Sequence, residues 1–242
     1  MTLSAFDRPR LPDDTIERIR RERYAPSVKQ CDYLHLRDLR NALDAAFHEI
    51  GPQPGPALDL WCGTQPYRDM VPARPLWGVD LDRHFGRTDV VGGLPLPFED
   101  GAFSIVVCTQ ALHLVDDPAA TVREMARVLR PGGTAVVTVP HIFRREIRQE
   151  RKLSAADLTT LFSGWESTVT GFGGLGSALA YFPASLANGA ARRWKPLSMA
   201  LPVLGLMLTG VGTVIDRVSQ WLGAPRNASW IVVARTADSH GA

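Results

Sequence analysis

A chain of 242 residues, 45% of them hydrophobic, can bury a full core and fits one large domain, or a domain with a cap, better than two independent ones. Its 27 Lys and Arg are scattered among 25 Asp and Glu, so the net charge of +2 marks no basic face and argues against nucleic acid as a partner. Cys31, Cys62 and Cys108 show neither metal-ligand spacing nor a disulfide framework, and the segment Asp7 to Arg23 is polar and charged, so the expectation is a cytoplasmic protein that uses no metal.

Residues 12–49 predict helix: Thr15-Ile16-Glu17-Arg18-Ile19 opens an amphipathic run, and Leu34, Leu36, Leu39, Leu43 and Phe47 recur at helical spacing. Pro and Gly at 51–56 end it. Hydrophobic strands are then expected at Ala57 to Trp61, Leu76 to Asp80, Asp89 to Val91, Ser104 to Cys108 and Thr134 to Val139, with a helix at Ala119 to Leu129 that stops at Arg130-Pro131-Gly132-Gly133. Ser154-Ala155-Ala156-Asp157 has the form of a capping box opening a helix through Phe162. Trp165 to Phe172 and Ser229 to Thr236 read as the last two strands. Strands alternating with helices predict an α/β, Rossmann-like, doubly wound and mostly parallel seven-stranded sheet. The expected layout is an N-terminal helical cap (1–50), a core (51–173 and 228–237) and an apolar helical insertion before the last strand (174–227).

That insertion contains Pro196 to Ile215, which carries no charge and follows Arg192, Arg193 and Lys195. It is nearly long enough to span a bilayer. Pro202 and the Gly and Thr residues at its end favour a buried or lid helix pair over a single helix. Contact with a membrane surface through 196–215 is the second reading, and a true span the third. Membrane association and a homodimer stay open on this evidence.

The segment Ala57-Leu58-Asp59-Leu60-Trp61-Cys62-Gly63-Thr64, followed by Gly78-Val79-Asp80, reads as strand, tight turn and second strand ending in a carboxylate. At the end of the first strand of an open α/β sheet such a turn lets backbone N–H groups approach a cofactor, and the carboxylate can take both hydroxyls of a ribose. Trp61 and Gln65 stand where such turns usually hold glycine.

Four blocks in order, ALDLWCGTQPYR, LWGVDLD, LPLPFEDGAFSIVVCTQALHLVDDP and REMARVLRPGGTAVVTVP, resemble the class I S-adenosylmethionine-dependent methyltransferases, in the methyltransferase type 11-like branch, from about Ala57 to Pro140. The resemblance implies S-adenosyl-L-methionine as cofactor. It implies that Asp59, Leu60, Trp61, Cys62 and Gly63 surround the methionine end, that Asp80 and Leu81 hold the ribose, and that Gly93, Leu94, Cys108 and Thr109 complete the site. The first motif is degenerate at Trp61 and Gln65. Gly92 and Gly93 stand where the family often has an acidic residue near the adenine, and His113-Leu114 replaces a Glu-His pair.

Methyl transfer from a sulfonium mainly requires alignment, with a base only where the acceptor must lose a proton. For a hydroxyl acceptor the candidate bases are His113 and His141, after the fourth and fifth strands, with Gln110 to orient the acceptor. Tyr24, Tyr33 and His35 are candidates to close over the cofactor or to pack against the sheet. An apolar cap including Tyr181, Phe182 and Trp194 suits a hydrophobic or lipid-linked small molecule. The main expectation is therefore O-methyl transfer to a secondary metabolite or a glycan or lipid-linked intermediate. The alternative is a protein of the same fold that no longer methylates, either a repurposed cyclase or eliminase or a noncatalytic partner.

Overall fold

Seven strands form one sheet in the order β3-β2-β1-β4-β5-β7-β6. The computed structural model describes residues 9–140, 152–180, 183, 195–225 and 227–237. The strands are β1 (Ala57–Leu60), β2 (Leu76–Asp80), β3 (Val90–Val91), β4 (Phe103–Thr109), β5 (Leu129–Pro140), β6 (Glu166–Phe172) and β7 (Ser229–Arg235). All neighbours pair parallel except β7, which runs antiparallel to both β5 and β6. The chain builds outward from β1 to β3 and then returns to lay β4 on the other side of β1. That reversal makes the C-terminal ends of β1 and β4 the switch point where sheets of this kind hold ligands.

Side-chain alternation along the central strands divides the core into two layers. Leu58 and Leu60 of β1, with Val106 and Cys108 of β4, face α3 (Pro118–Val128) and α4 (Ala155–Leu161) through Val122, Met125 and Leu158. Ala57, Ile105 and Val107 face the other way, onto Leu39, Leu43 and Phe47 of α2 (Tyr33–Ile50). The expected capping box forms: the Ser154 hydroxyl accepts from Asp157 N–H and the Asp157 carboxylate accepts from Ser154 N–H. The hydrogen bond from Ser154 also lowers the pKa of the Asp157 carboxyl.

Two expectations change. The predicted N-terminal helix is two, α1 (Asp13–Tyr24) and α2, because Pro26 and the turn over 28–32 interrupt it. Pro196 to Ile215 does not form a helix pair. It lies inside one continuous helix, α6 (Lys195–Trp221), with Pro202 in its interior, and most of its apolar side chains are exposed. A short helical stretch over 175–180 (α5) packs beside it, with Gly176 against Gly212. A buried carboxylate, Asp216, accepts the Gly176 N–H at 2.6 Å. A second, Asp38 on α2, accepts from the Ser177 hydroxyl and pairs with Arg37. The first contact ties α6 to α5 within the insertion, and the second ties α5 to α2.

Candidate cofactor site at the switch point

The turn after β1 takes left-handed backbone at three alternate positions, only one of which is glycine. Trp61, Gly63 and Gln65 have φ of 59°, 52° and 47°, all in the left-handed region. For L side chains that region costs roughly 1–2 kcal/mol per residue, so neighbours must compensate at 61 and 65. Trp61 packs its indole against the apolar cluster on the α3 side of the sheet. Gln65 is buried, and its Oε1 accepts from Arg68 Nη1 at 2.9 Å. Gly78 on β2 makes room for it: a Cβ there would stand 2.7 Å from Gln65 Nε2 and 3.0 Å from Cys62 Sγ. At Gly63, by contrast, a Cβ would meet only Phe85 Cδ2 at 3.9 Å, so this stretch of backbone is open to the cavity.

Asp80, the last residue of β2, faces this turn. Its Oδ2 accepts from Gly63 N–H at 2.9 Å and its Oδ1 from Leu81 N–H at 2.8 Å. Two backbone donors thus fix the carboxylate plane. Below it a cavity of about 390 Å³ opens between the sheet and α2, within the range of roughly 300–1,000 Å³ usual for small-ligand sites. Its wall is carboxylate-rich, with Asp32, Asp59 and Asp80, and has an apolar side formed by Leu36, Leu81 and Phe85 among others. Burial, reinforced by the charge of Asp80, holds the Asp59 carboxyl well above the ordinary carboxylate range, against the opposing pull of Arg68 and a hydrogen bond from Gln65. Burial and the same two carboxylates push the Cys62 thiol up, which keeps it protonated and unreactive.

Of the residues singled out in the sequence, Asp59, Trp61, Cys62, Gly63, Asp80, Leu81, Thr109, Gln110 and His113 line this cavity. Leu60 and Cys108 do not: each is fully buried in the layer facing α3, because alternation along β1 and β4 turns them away from α2. Burial also raises the pKa of the Cys108 thiol, in keeping with a core role. Gly93 and Leu94 stand in the exposed loop after β3 and are not part of the wall. His141, Tyr181, Phe182 and Trp194 lie outside the described residues.

His113 is buried in the short turn Leu112–Leu114. Gln110, at φ 54°, is held by its N–H to Thr138 O at 2.9 Å and Oγ1 at 3.1 Å. Its Nε2 and the Nε1 of Trp61 are buried without an acceptor among the described residues. His35 lines the cavity, whereas Tyr24 and Tyr33 lie under the guanidinium groups of Arg40 and Arg37 and are not in the wall. Arg23, Asp32, Leu36, Leu39 and Tyr67 also line it and had not been anticipated. For the leucines the signal was present: their helical spacing on α2 marked the face turned to the sheet. Among the described residues no group of three or more His, Cys, Asp or Glu is arranged to hold a metal ion.

Residues 66–137 match the family model described as a methyltransferase domain. This stretch, about a third of the chain, is therefore similar to a methyltransferase domain. The match begins one residue after Gln65, so the altered turn is outside it. A demethylmenaquinone methyltransferase of Mycolicibacterium gilvum is 39% identical over 90 residues, covering 33% of this chain and 40% of that protein. The chain spans about half the length, or less, of the curated relatives it matches.

Two solved structures share the methyltransferase fold. The [4+2]-cyclase SpnF has a TM-score of 0.56 at 19% identity, covering 83% of this chain and 82% of its own. A chain from the Haloferax volcanii complex of the Trm112 methyltransferase activator with its methyltransferase partner has 0.55 at 17%, covering 93% and 95%.

The methyltransferase-domain match points to S-adenosylmethionine as the cofactor. Its chemistry fits the donor set: a cationic, ribose-bearing ligand meets the buried Asp59 and half-buried Asp32 and Asp80 carboxylates, a backbone turn open at Gly63, and N–H donors at Trp61 and Gln110 that find no acceptor among the described residues. Trp61 forms part of the wall, and the cavity remains open beside it.

Proposed function

We propose that the chain is an S-adenosylmethionine-dependent methyltransferase acting on a small, apolar acceptor, with transfer to a hydroxyl oxygen. The observation that carries this reading is the Asp80 carboxylate, oriented by Gly63 and Leu81 at the switch point above a carboxylate-walled cavity. Asp80 would take the ribose hydroxyls, Asp59 the cationic end, and Leu81, Phe85 and Val115 would offer apolar surface to the base. When bound, the cofactor supplies an activated methyl group on a sulfonium.

The chain's own task is then to align the acceptor, exclude water and take up a proton. Gln110 Nε2, buried and lacking an acceptor among the described residues, would donate to the acceptor oxygen. His113, buried in the same wall, would accept the hydroxyl proton. The apolar part of the wall and the relatives named for demethylmenaquinone both favour an apolar acceptor.

The test supplies methyl-labelled S-adenosylmethionine with a panel of hydroxylated aromatic and isoprenoid compounds and follows label into the organic phase. Transfer supports the proposal. Cofactor binding without transfer to any member would favour a protein that has kept the fold and given up methylation.

A further inference from the structure

The exposed face of α6 is unlike the rest of the surface. Met199, Val203, Leu206, Met207, Val211 and Val214 are all more than half exposed. At about 100° per residue they cover about 140° of the helix circumference. Trp221, 85% exposed at the helix end, falls on the same face. No charged residue occurs from Pro196 to Ile215, and in sequence Arg192, Arg193 and Lys195 come directly before that run. Arg217, also exposed, falls on the same face near its C-terminal end, between Val214 and Trp221.

The opposite face of α6 is fastened to the domain. A Cβ at Gly205 would collide with the Lys29 carbonyl, and one at Gly212 with Leu34. Thr209 Oγ1 donates to Val28 O at 3.0 Å, and Asp216 is buried against Gly176. The segment clasped in this way, from Val28 to Leu34, leads into the stretch that carries Asp32, His35, Leu36 and Leu39, which line the cavity.

We propose that α6 is an interfacial helix that lays its apolar face on an anionic bilayer surface and so holds the cavity beside the membrane. The helix has the length and hydropathy of a membrane span, yet its buried Asp216 and its packing against α2 and α5 keep it on the domain. It therefore lies along the surface and does not cross. The width of the apolar face also discriminates: pairing with a second helix needs only a narrow seam, whereas a plane of lipid covers a broad stripe. The cationic residues that precede the run in sequence, with Arg217 near the helix end, suit anionic headgroups and would repel their copies across a close interface between two chains. Resting on the methyltransferase reading above, this placement names the substrate class: an amphipathic acceptor that partitions into the bilayer.

The test is flotation of the full chain with vesicles of phosphatidylcholine alone or mixed with phosphatidylglycerol, without S-adenosylmethionine, so that its result is independent of the cofactor assignment. The wild type should float with the anionic vesicles, more weakly at high salt. Met207→Glu combined with Val211→Glu should lower the partition at least tenfold while circular dichroism and cofactor affinity stay unchanged. Brominated acyl chains should quench wild-type fluorescence by an increment that Trp221→Phe removes. Absence of vesicle association at low salt, or association unchanged in the double variant, would overturn the proposal. So would a stable dimer that the double variant splits in a wild type that ignores vesicles, which would assign the face to a second copy.

Discussion

Replacing Asp80 by Ala removes the acceptor of two backbone hydrogen bonds, from Gly63 at 2.9 Å and Leu81 at 2.8 Å. Without ligand, the loss falls on the turn: Gly63 N–H loses its partner at a position open to the cavity, where water can replace it, so the cost to folding is about 1 kcal/mol. For a domain of this size that corresponds to a fall in Tm of about 2–4 °C. With ligand, the two ribose hydroxyls lose a charged acceptor.

Hydrogen bonds to charged groups are worth about 1.5–3 kcal/mol each, and the low end applies because Asp80 is half-buried. Two such bonds give about 3 kcal/mol, or roughly a hundredfold in Kd at 1.4 kcal/mol per tenfold. Asp80→Asn keeps one acceptor oxygen for the turn and should fall between wild type and Ala in affinity, with little change in Tm. Calorimetric titration with S-adenosylmethionine and a thermal melt of each variant separate the two effects. A Kd within twofold of wild type in Asp80→Ala, with the fold intact, would refute the assignment of Asp80 to the ribose.

Trp61→Gly should relieve left-handed strain of roughly 1–2 kcal/mol but lose the packing of a half-buried indole, for a net destabilisation of about 1–2 kcal/mol; cofactor affinity should change by less than tenfold. A gain much above tenfold, measured by titration, would mean that the indole closes the site. Asp59, whose carboxyl is raised by burial and then by Asp80, favours the folded state while protonated. Its contribution is full below the unfolded pKa of about 3.9 and is lost as pH rises through the higher folded value. Asp59→Asn should flatten that part of the pH–stability profile. A cationic ligand favours the ionised form, so binding to wild type should release protons, detected by titration in buffers of different ionisation enthalpy, and binding to Asp59→Asn should not. His113→Ala and Gln110→Ala should each lower kcat about tenfold to a thousandfold with cofactor Kd unchanged; an equal loss in cofactor affinity would place them in cofactor binding instead.

The architecture was legible because strand-length apolar runs, the Pro131-Gly132-Gly133 stop and the Ser154–Asp157 box each make a local demand that the fold satisfies. The seven strands fall where the pattern put them, with ends shifted by no more than one residue except at β5, which starts five residues early, at Leu129, and takes in Pro131-Gly132-Gly133. The turn after β1 was harder to read. Trp61 and Gln65 in place of glycine suggested a loop unable to turn, whereas the backbone is left-handed at 61, 63 and 65. The compensation comes from Gly78 on a different strand, which no local reading of 61–65 reveals.

Alternation along β1 and β4 separated Asp59 and Thr109, which line the cavity, from Leu60 and Cys108, which do not. That separation was available from period two, but required knowing which layer holds the ligand. The insertion misled for a different reason. Pro202 suggested a break, but the helix carries it through, held along one side by glycines packed against 29–34 and 176. Such close backbone contacts depend on tertiary neighbours and leave no periodic trace.

The central claim is that the cavity beneath Asp80 binds S-adenosylmethionine, and calorimetric titration of the wild type with S-adenosylmethionine and with S-adenosylhomocysteine tests it most directly. The account predicts saturable, micromolar binding of both. A protein shown to be folded by circular dichroism that gives no binding heat with either ligand, at more than one temperature, would contradict it.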